Sequence, residues 1–230
     1  MIDAKALLDR YLGAQNAEAL EQRARELKTK AQENPLAATA IAGGLATILL
    51  GTKSGRALSG GVLKLGGMAA VAGLAYKAYQ DWQAKQQGGS LSSSEPVMLP
   101  PADSEFAAPA DKEQARAQAM VVAMIQAAKA DGLIDDDERA RIIGKVDSLG
   151  LGEDEIKFVI DEIRAPLDVD KVVKSSTGPE MAMELYTASS MAIDVDHPAE
   201  RAYLDMLAAR LGLDPALKKS LDETIVAARD

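Results

Sequence analysis

The sequence predicts an all-α protein. It reads as an N-terminal helix, an apolar helical hairpin, a flexible linker and a C-terminal bundle of seven helices built from two related halves. Three observations predict this. First, 230 residues include only two Phe, five Tyr and one Trp. The core therefore falls to Ala, Leu, Ile, Val and Met, a set that suits helices better than strands. Second, no stretch alternates apolar and polar residues long enough to make a strand. Third, the stretch Ala127–Leu151 recurs loosely at Ser189–Leu213, with Glu138 on Glu200, Arg139 on Arg201 and Leu149-Gly150-Leu151 on Leu211-Gly212-Leu213. Each copy reads as helix, acidic turn, helix and a Leu-Gly-Leu stop.

Taken in order, residues 1–34 hold a helix over about 3–33, with a thin apolar stripe of Leu7, Leu8, Leu12, Leu20 and Leu27 interrupted at Gly13. Residues 35–85 hold two apolar runs. Pro35–Thr52 is uncharged, and as a helix it would reach about 27 Å, close to the thickness of a bilayer core. The second run, Ala57–Tyr76, carries Lys64 as its one charge. Small residues recur four apart in both runs (Ala40 and Gly44, Gly66 and Ala70, Ala69 and Gly73), which lets two helix backbones approach closely in lipid. A membrane hairpin is the expectation. Arg23, Arg25, Lys28 and Lys30 precede it and Lys77 and Lys85 follow it, which puts both ends and the C-terminal domain on the cytoplasmic side.

Residues 86–110 are rich in Gly, Ser, Pro and Ala and show no period, the composition of a disordered linker. Residues 111–230 are the helical domain. Its helices are expected near 111–130, 135–149, 153–164, 168–174, 179–192, 198–211 and 214–228. Pro179, Pro198 and Pro215 stand at helix starts, where a missing N–H costs nothing. Gly150 and Gly212 stand where a helix end calls for positive φ.

Charge narrows the function. The net charge of −9 divides unevenly: residues 1–88 carry 11 basic and 7 acidic side chains, and residues 89–230 carry 15 basic and 28 acidic. The acidic C-terminal part repels phosphates, which argues against nucleic-acid binding. The mildly basic N-terminal part suits an anionic membrane surface. With no Cys there is neither a disulfide framework nor a thiolate metal site. The chain lacks G-x-S-x-G, H-E-x-x-H and dinucleotide-binding fingerprints.

The acidic turns are the candidate site. Copy one offers Asp131, Asp135, Asp136, Asp137 and Glu138; copy two offers Asp194, Asp196, His197 and Glu200. Oxygen-rich clusters of this kind suit Ca²⁺ or Mg²⁺. Asp131 and Asp194 fall at helix ends, where the dipole disfavours negative charge. With Glu138 and Glu200 they form the expected metal-binding set. The competing reading is capping: Asp135-x-x-Glu138 has the capping-box spacing, and Asp196-His197-Pro198 is a plausible helix entry. An EF-hand is excluded, because counting from Asp135 places Ala140 where Gly is required and Val146 where Glu is required.

The motif A-x-A-D-G-x-I-D-x-x-E at 128–138, its looser partner near 188–200 and the Leu-Gly-Leu stops resemble the TerB-like (tellurite-resistance) family of helical domains. With two apolar, Gly-rich runs and a low-complexity linker ahead of it, the chain also resembles the YebE-type inner-membrane group. The second copy departs from the motif, with Ala192-Ile193-Asp194 where the first has Ala130-Asp131-Gly132. The resemblance implies an all-helical fold, an acidic metal-binding surface and a link to membrane-associated stress complexes, without an agreed enzymatic activity. The expected function is a membrane-anchored, non-enzymatic interaction module whose partners are lipid and either another protein or a second copy. The alternatives are a carboxylate–metal enzyme acting on a phosphate-containing substrate, and a soluble self-associating helical protein.

Overall fold

The computed structural model describes residues 67–88, 97–101, 103–107, 112–130, 153–193, 195 and 197–229. Among them are seven helices and no strand. They are α1 (Gly67–Gln86), α2 (Glu113–Ala128), α3 (Glu153–Arg164), α4 (Val169–Lys174), α5 (Pro179–Met191), α6 (Pro198–Arg210) and α7 (Pro215–Arg229). The expected helices at 3–33 and 135–149, the first apolar run and residues 57–66 of the second lie outside the described residues.

Helix α5 is the axis of the bundle. Its sequence, PEMAMELYTASSM, has no polar face, and every residue from Met181 to Met191 is buried. A helix without a solvated side has to be surrounded. Here α2, α1, α7 and α6 pack around it. Its hydroxyls are satisfied by main-chain carbonyls: Thr187 Oγ1 donates to Met183 O at 2.8 Å and Ser189 Oγ to Ala123 O at 3.3 Å. Helix α2 is buried over Ala119–Ala127 and also carries α3 and α4.

The helix ends follow local chemistry. Pro179 and Pro198 occupy the first turns of α5 and α6. Asp168 caps α4 by accepting from Lys171 N at 3.1 Å. Gly212, at φ 70°, closes α6: its N–H reaches Ala209 O at 3.2 Å and Leu213 N reaches Ala208 O at 3.0 Å. That pair of bonds is a Schellman motif, and the left-handed residue inside it is least strained as Gly.

Helix α1 covers the end of the second apolar run. Residues 67–76 were expected in lipid as part of the second apolar run. They instead form the first half of a helix that packs on α7 and α5. Ala70, Val71, Leu74, Ala75 and Ala78 are fully buried or nearly so. Ser220 Oγ of α7 donates to Ala78 O at 2.9 Å, and Lys85 pairs with Glu223 at 2.9 Å. The small residues that would let helices approach in a bilayer serve the same close approach between α1, α7 and α5. None of the described helices is long and apolar enough to cross a membrane.

If α1 is part of this core, Leu74→Ala lowers the stability of the whole bundle by about 2–5 kcal/mol, the usual cost of emptying a buried leucine site. Urea unfolding followed by circular dichroism would show the shift. An unchanged midpoint would mean that α1 is an appendage.

Candidate functional site

Of the four carboxylates expected to hold a cation, Asp131, Glu138 and Asp194 lie outside the described residues. Glu200 is buried at the start of α6, where its Oε2 accepts from His197 N at 3.2 Å. His197 Nδ1 in turn accepts from Ala199 N at 3.2 Å. This is a reciprocal capping box. The single histidine and the copy-two glutamate thus both act on the helix terminus. No group of three or more potential ligands is brought together among the described residues.

The structure brings together a different polar group, on α5. Glu184 is 0 % exposed in the middle of the most apolar helix of the bundle. Its Oε2 accepts from Arg116 Nε of α2 at 2.5 Å, while its Oε1 has no hydrogen-bond partner among the described residues. Burial raises the Glu184 carboxyl from 4.5 to about 7. The Arg116 hydrogen bond and charge oppose that rise, and Glu180 adds to it. Removing a carboxylate from water costs more than one guanidinium returns.

Arg116 also faces outward. Its Nη1 and Nη2 each donate to Glu105 O at 3.3 Å. Glu105 belongs to the stretch expected as linker. Residues 103–107 of that stretch fold into a turn, with Ser104 N on Pro101 O and Ala107 N on Ser104 O, both at 2.9 Å. Phe106 is 5 % exposed and docks on α1, its ring 5.4 Å from Tyr76 and 5.9 Å from Tyr79. Trp82 continues the cluster, stacked on Tyr79 at 5.8 Å. This part of the linker therefore packs as a strap over α1, because one aromatic ring finds an aromatic face. Glu105 and Phe106 join it to the Arg116–Glu184 pair.

Between strap, α1, α2 and α5 lies a pocket of about 220 Å³, lined by Met68, Ala72, Leu99 and Phe106, with Arg116 and Glu184 as polar walls. Sequence reading missed this site. The signal available was Glu184 inside the otherwise uncharged run Met181–Met191.

A second buried polar cluster is fully engaged. Glu162 accepts from Gln126 Nε2 at 2.6 Å and from Lys171, while Lys129 Nζ donates to the carbonyls of Glu162, Ala165 and Pro166. Burial lowers the Lys129 pKa, and the Glu162 charge opposes that shift. With Asp168 N on Gln126 Oε1 at 2.8 Å, the cluster fixes the turn between α3 and α4. Its bonds are internal, and its work is structural.

The described residues form an all-helical bundle that holds a buried carboxylate–guanidinium pair. The chain belongs to the family described as protein of unknown function (DUF533), whose model matches residues 35–225. A relative, the uncharacterized protein in the ampR 5′ region of Yersinia enterocolitica, is 34% identical over 110 residues, which is 48% of this chain and 79% of that protein. No solved structure matches.

Glu184 sets a pH prediction. Its carboxyl holds a proton more tightly folded than unfolded. The associated stability is full below about pH 4.5 and is lost as pH rises through about 7. The span corresponds to about 3 kcal/mol at 1.36 kcal/mol per pH unit. Glu184→Gln is expected to flatten the stability profile across this window, as read by thermal unfolding from pH 4.5 to 8. Parallel profiles for the two proteins would refute the assignment.

Proposed function

We propose that this chain is a non-enzymatic interaction module held at the bacterial inner membrane, a TerB-like helical bundle of the YebE-type group. The observation that carries the reading is the position of α1. It follows the first apolar run in the chain and takes in the end of the second, and the helix is locked into the core through Leu74, Ala78 and the Ser220–Ala78 bond. An apolar run anchored in lipid would therefore hold the bundle near the membrane surface. Such a bundle offers its acidic outer face to a partner at the membrane surface.

In this reading the anchor is the uncharged run Pro35–Thr52, which has the length to span a bilayer core. Divalent-cation binding by Asp131, Glu138, Asp194 and Glu200 is the cation-dependent part of the same proposal, with Ca²⁺ or Mg²⁺ as the ion.

Two experiments test it. Membranes from cells making the full chain are washed with carbonate. The wild-type protein should stay in the pellet, and Leu45→Arg with Leu49→Arg should move it to the supernatant with its helicity intact. Wild-type protein in the supernatant would overturn the anchor. Calcium and magnesium titrations followed by NMR should shift the amides around Asp131 and Asp194, and Asp131→Asn with Asp194→Asn should abolish the shifts. No change at millimolar ion would leave these side chains as helix caps.

A further inference from the structure

Arg116 stands between two partners in different parts of the fold. On its inner side Nε donates to Glu184 Oε2 of α5 at 2.5 Å. On its outer side Nη1 and Nη2 both donate to Glu105 O of the strap at 3.3 Å. A guanidinium is a rigid planar fork, so holding Nε also sets where the two outer nitrogens point. The strap's other hydrogen bonds among the described residues are its own: Ser104 N and Oγ on Pro101 O, and Ala107 N on Ser104 O. Its remaining hold on the bundle is apolar, with Phe106 against Tyr76 and Tyr79.

We infer that the strap at 103–107 is a latch, held closed by ionised Glu184 acting through Arg116 and lifted from α1 when Glu184 takes up a proton. Oε1 has no hydrogen-bond partner among the described residues, so a proton placed there displaces no donor. It removes the charge and leaves Nε–Oε2 as a weaker bond. Arg116, whose side chain is 12 % exposed, then keeps its own charge without a counter-charge at Nε. A mostly buried guanidinium in that state is driven toward water. The adjoining cavity of about 220 Å³ gives it room to turn, in an interior where packed neighbours would otherwise block it. Glu113, one turn earlier on α2, presents a carboxylate on the wall of the same cavity. As Arg116 turns, Glu105 O loses both donors and the strap keeps only its apolar contacts. Lifting it uncovers Tyr76 and Tyr79 on α1. The inference does not depend on how the chain is placed at a membrane.

Burial lifts the Glu184 carboxyl to about 7, and the Arg116 bond and charge oppose that rise. Linkage sets the direction. Because contact with Arg116 holds the pKa down, the state without that contact binds the proton more tightly, and a fall in pH favours release. The charged groups facing Glu184 are Arg116 and Glu113 of α2 and Glu180 of its own helix. Helix α1 lines the cavity with Met68, Ala69 and Ala72 and brings no titratable group to it. On α7, Asp222 and Lys218 meet Tyr186 instead, and on α6 Tyr203 meets Ser189. The strap's own carboxylates, Asp103 and Glu105, are exposed.

The test is amide hydrogen exchange of the full chain at pH 6 and pH 8, with rates at each pH divided by the intrinsic rate of an unstructured peptide. Opening of the strap is read at the amides of Ser104 and Ala107, which are bonded only while the turn is formed. Their protection is expected to fall about tenfold from pH 8 to pH 6, the effect of losing a bond to a charged group. Protection across α5 should stay constant, which separates local lifting from unfolding of the bundle. Phe106→Ala gives the value for a strap already lifted. Glu184→Gln, neutral at both pH values, should show low and pH-independent protection at Ser104 and Ala107. Arg116→Lys keeps the charge beside Glu184 but loses the two-sided fork, so it should behave the same way and serves if the first variant folds poorly. Equal protection of the wild-type strap at the two pH values, an unchanged tenfold fall in either variant, or an equal fall across α5 would each overturn the proposal.

Discussion

Complete burial of α5 is the constraint on which the rest of the bundle depends. From Met181 to Met191 every residue is buried, so the helix requires neighbours on every side. Four helices supply them. The same burial obliges every polar atom on α5 to find a partner inside the protein. Thr187 and Ser189 do so through main-chain carbonyls, at little cost. Glu184 does so only in part, through Arg116.

That partial solution gives the described part of the molecule a chemically distinctive place. The carboxylate destabilises a core that an apolar residue would fill more comfortably, as expected for buried ion pairs. It also fixes Arg116, and Arg116 reaches the strap through Glu105 O. Packing and electrostatics thus meet at one point: the aromatic contact of Phe106 holds the strap on α1, and the guanidinium ties it to α2 and α5. The Gln126–Glu162–Lys129–Lys171 cluster shows the contrast. There a comparable number of buried polar groups satisfy one another and hold a turn. The pocket under the strap differs because one oxygen, Glu184 Oε1, is left over.

The capping box at His197 and Glu200 shows how a carboxylate in an acidic turn can serve the backbone. Glu200 is the pseudo-equivalent of Glu138 in the duplicated unit, and both follow the same three-residue spacing from a candidate cap. An exposed helix start attracts negative charge through its own unpaired N–H groups. Acidic composition near a turn is therefore an ambiguous sign of metal binding.

The sequence by itself determined the helical class and where most helices begin and end. Pro179, Pro198 and Pro215, the Asp168 cap and Gly212 at φ 70° act through bonds and sterics within a few residues, so their effect is readable in a linear chain. The sequence also shows that the run ending at Tyr76 is apolar and rich in small residues, a pattern that reads as a membrane segment. Only the tertiary structure placed α1 against α7, seated Phe106 on Tyr76 and Tyr79, and joined Arg116 to Glu184 across 68 positions. Those outcomes depend on which distant surfaces meet, and hydrophobic burial is non-directional: it says that a face will be covered and leaves the choice of cover to the packing of the whole.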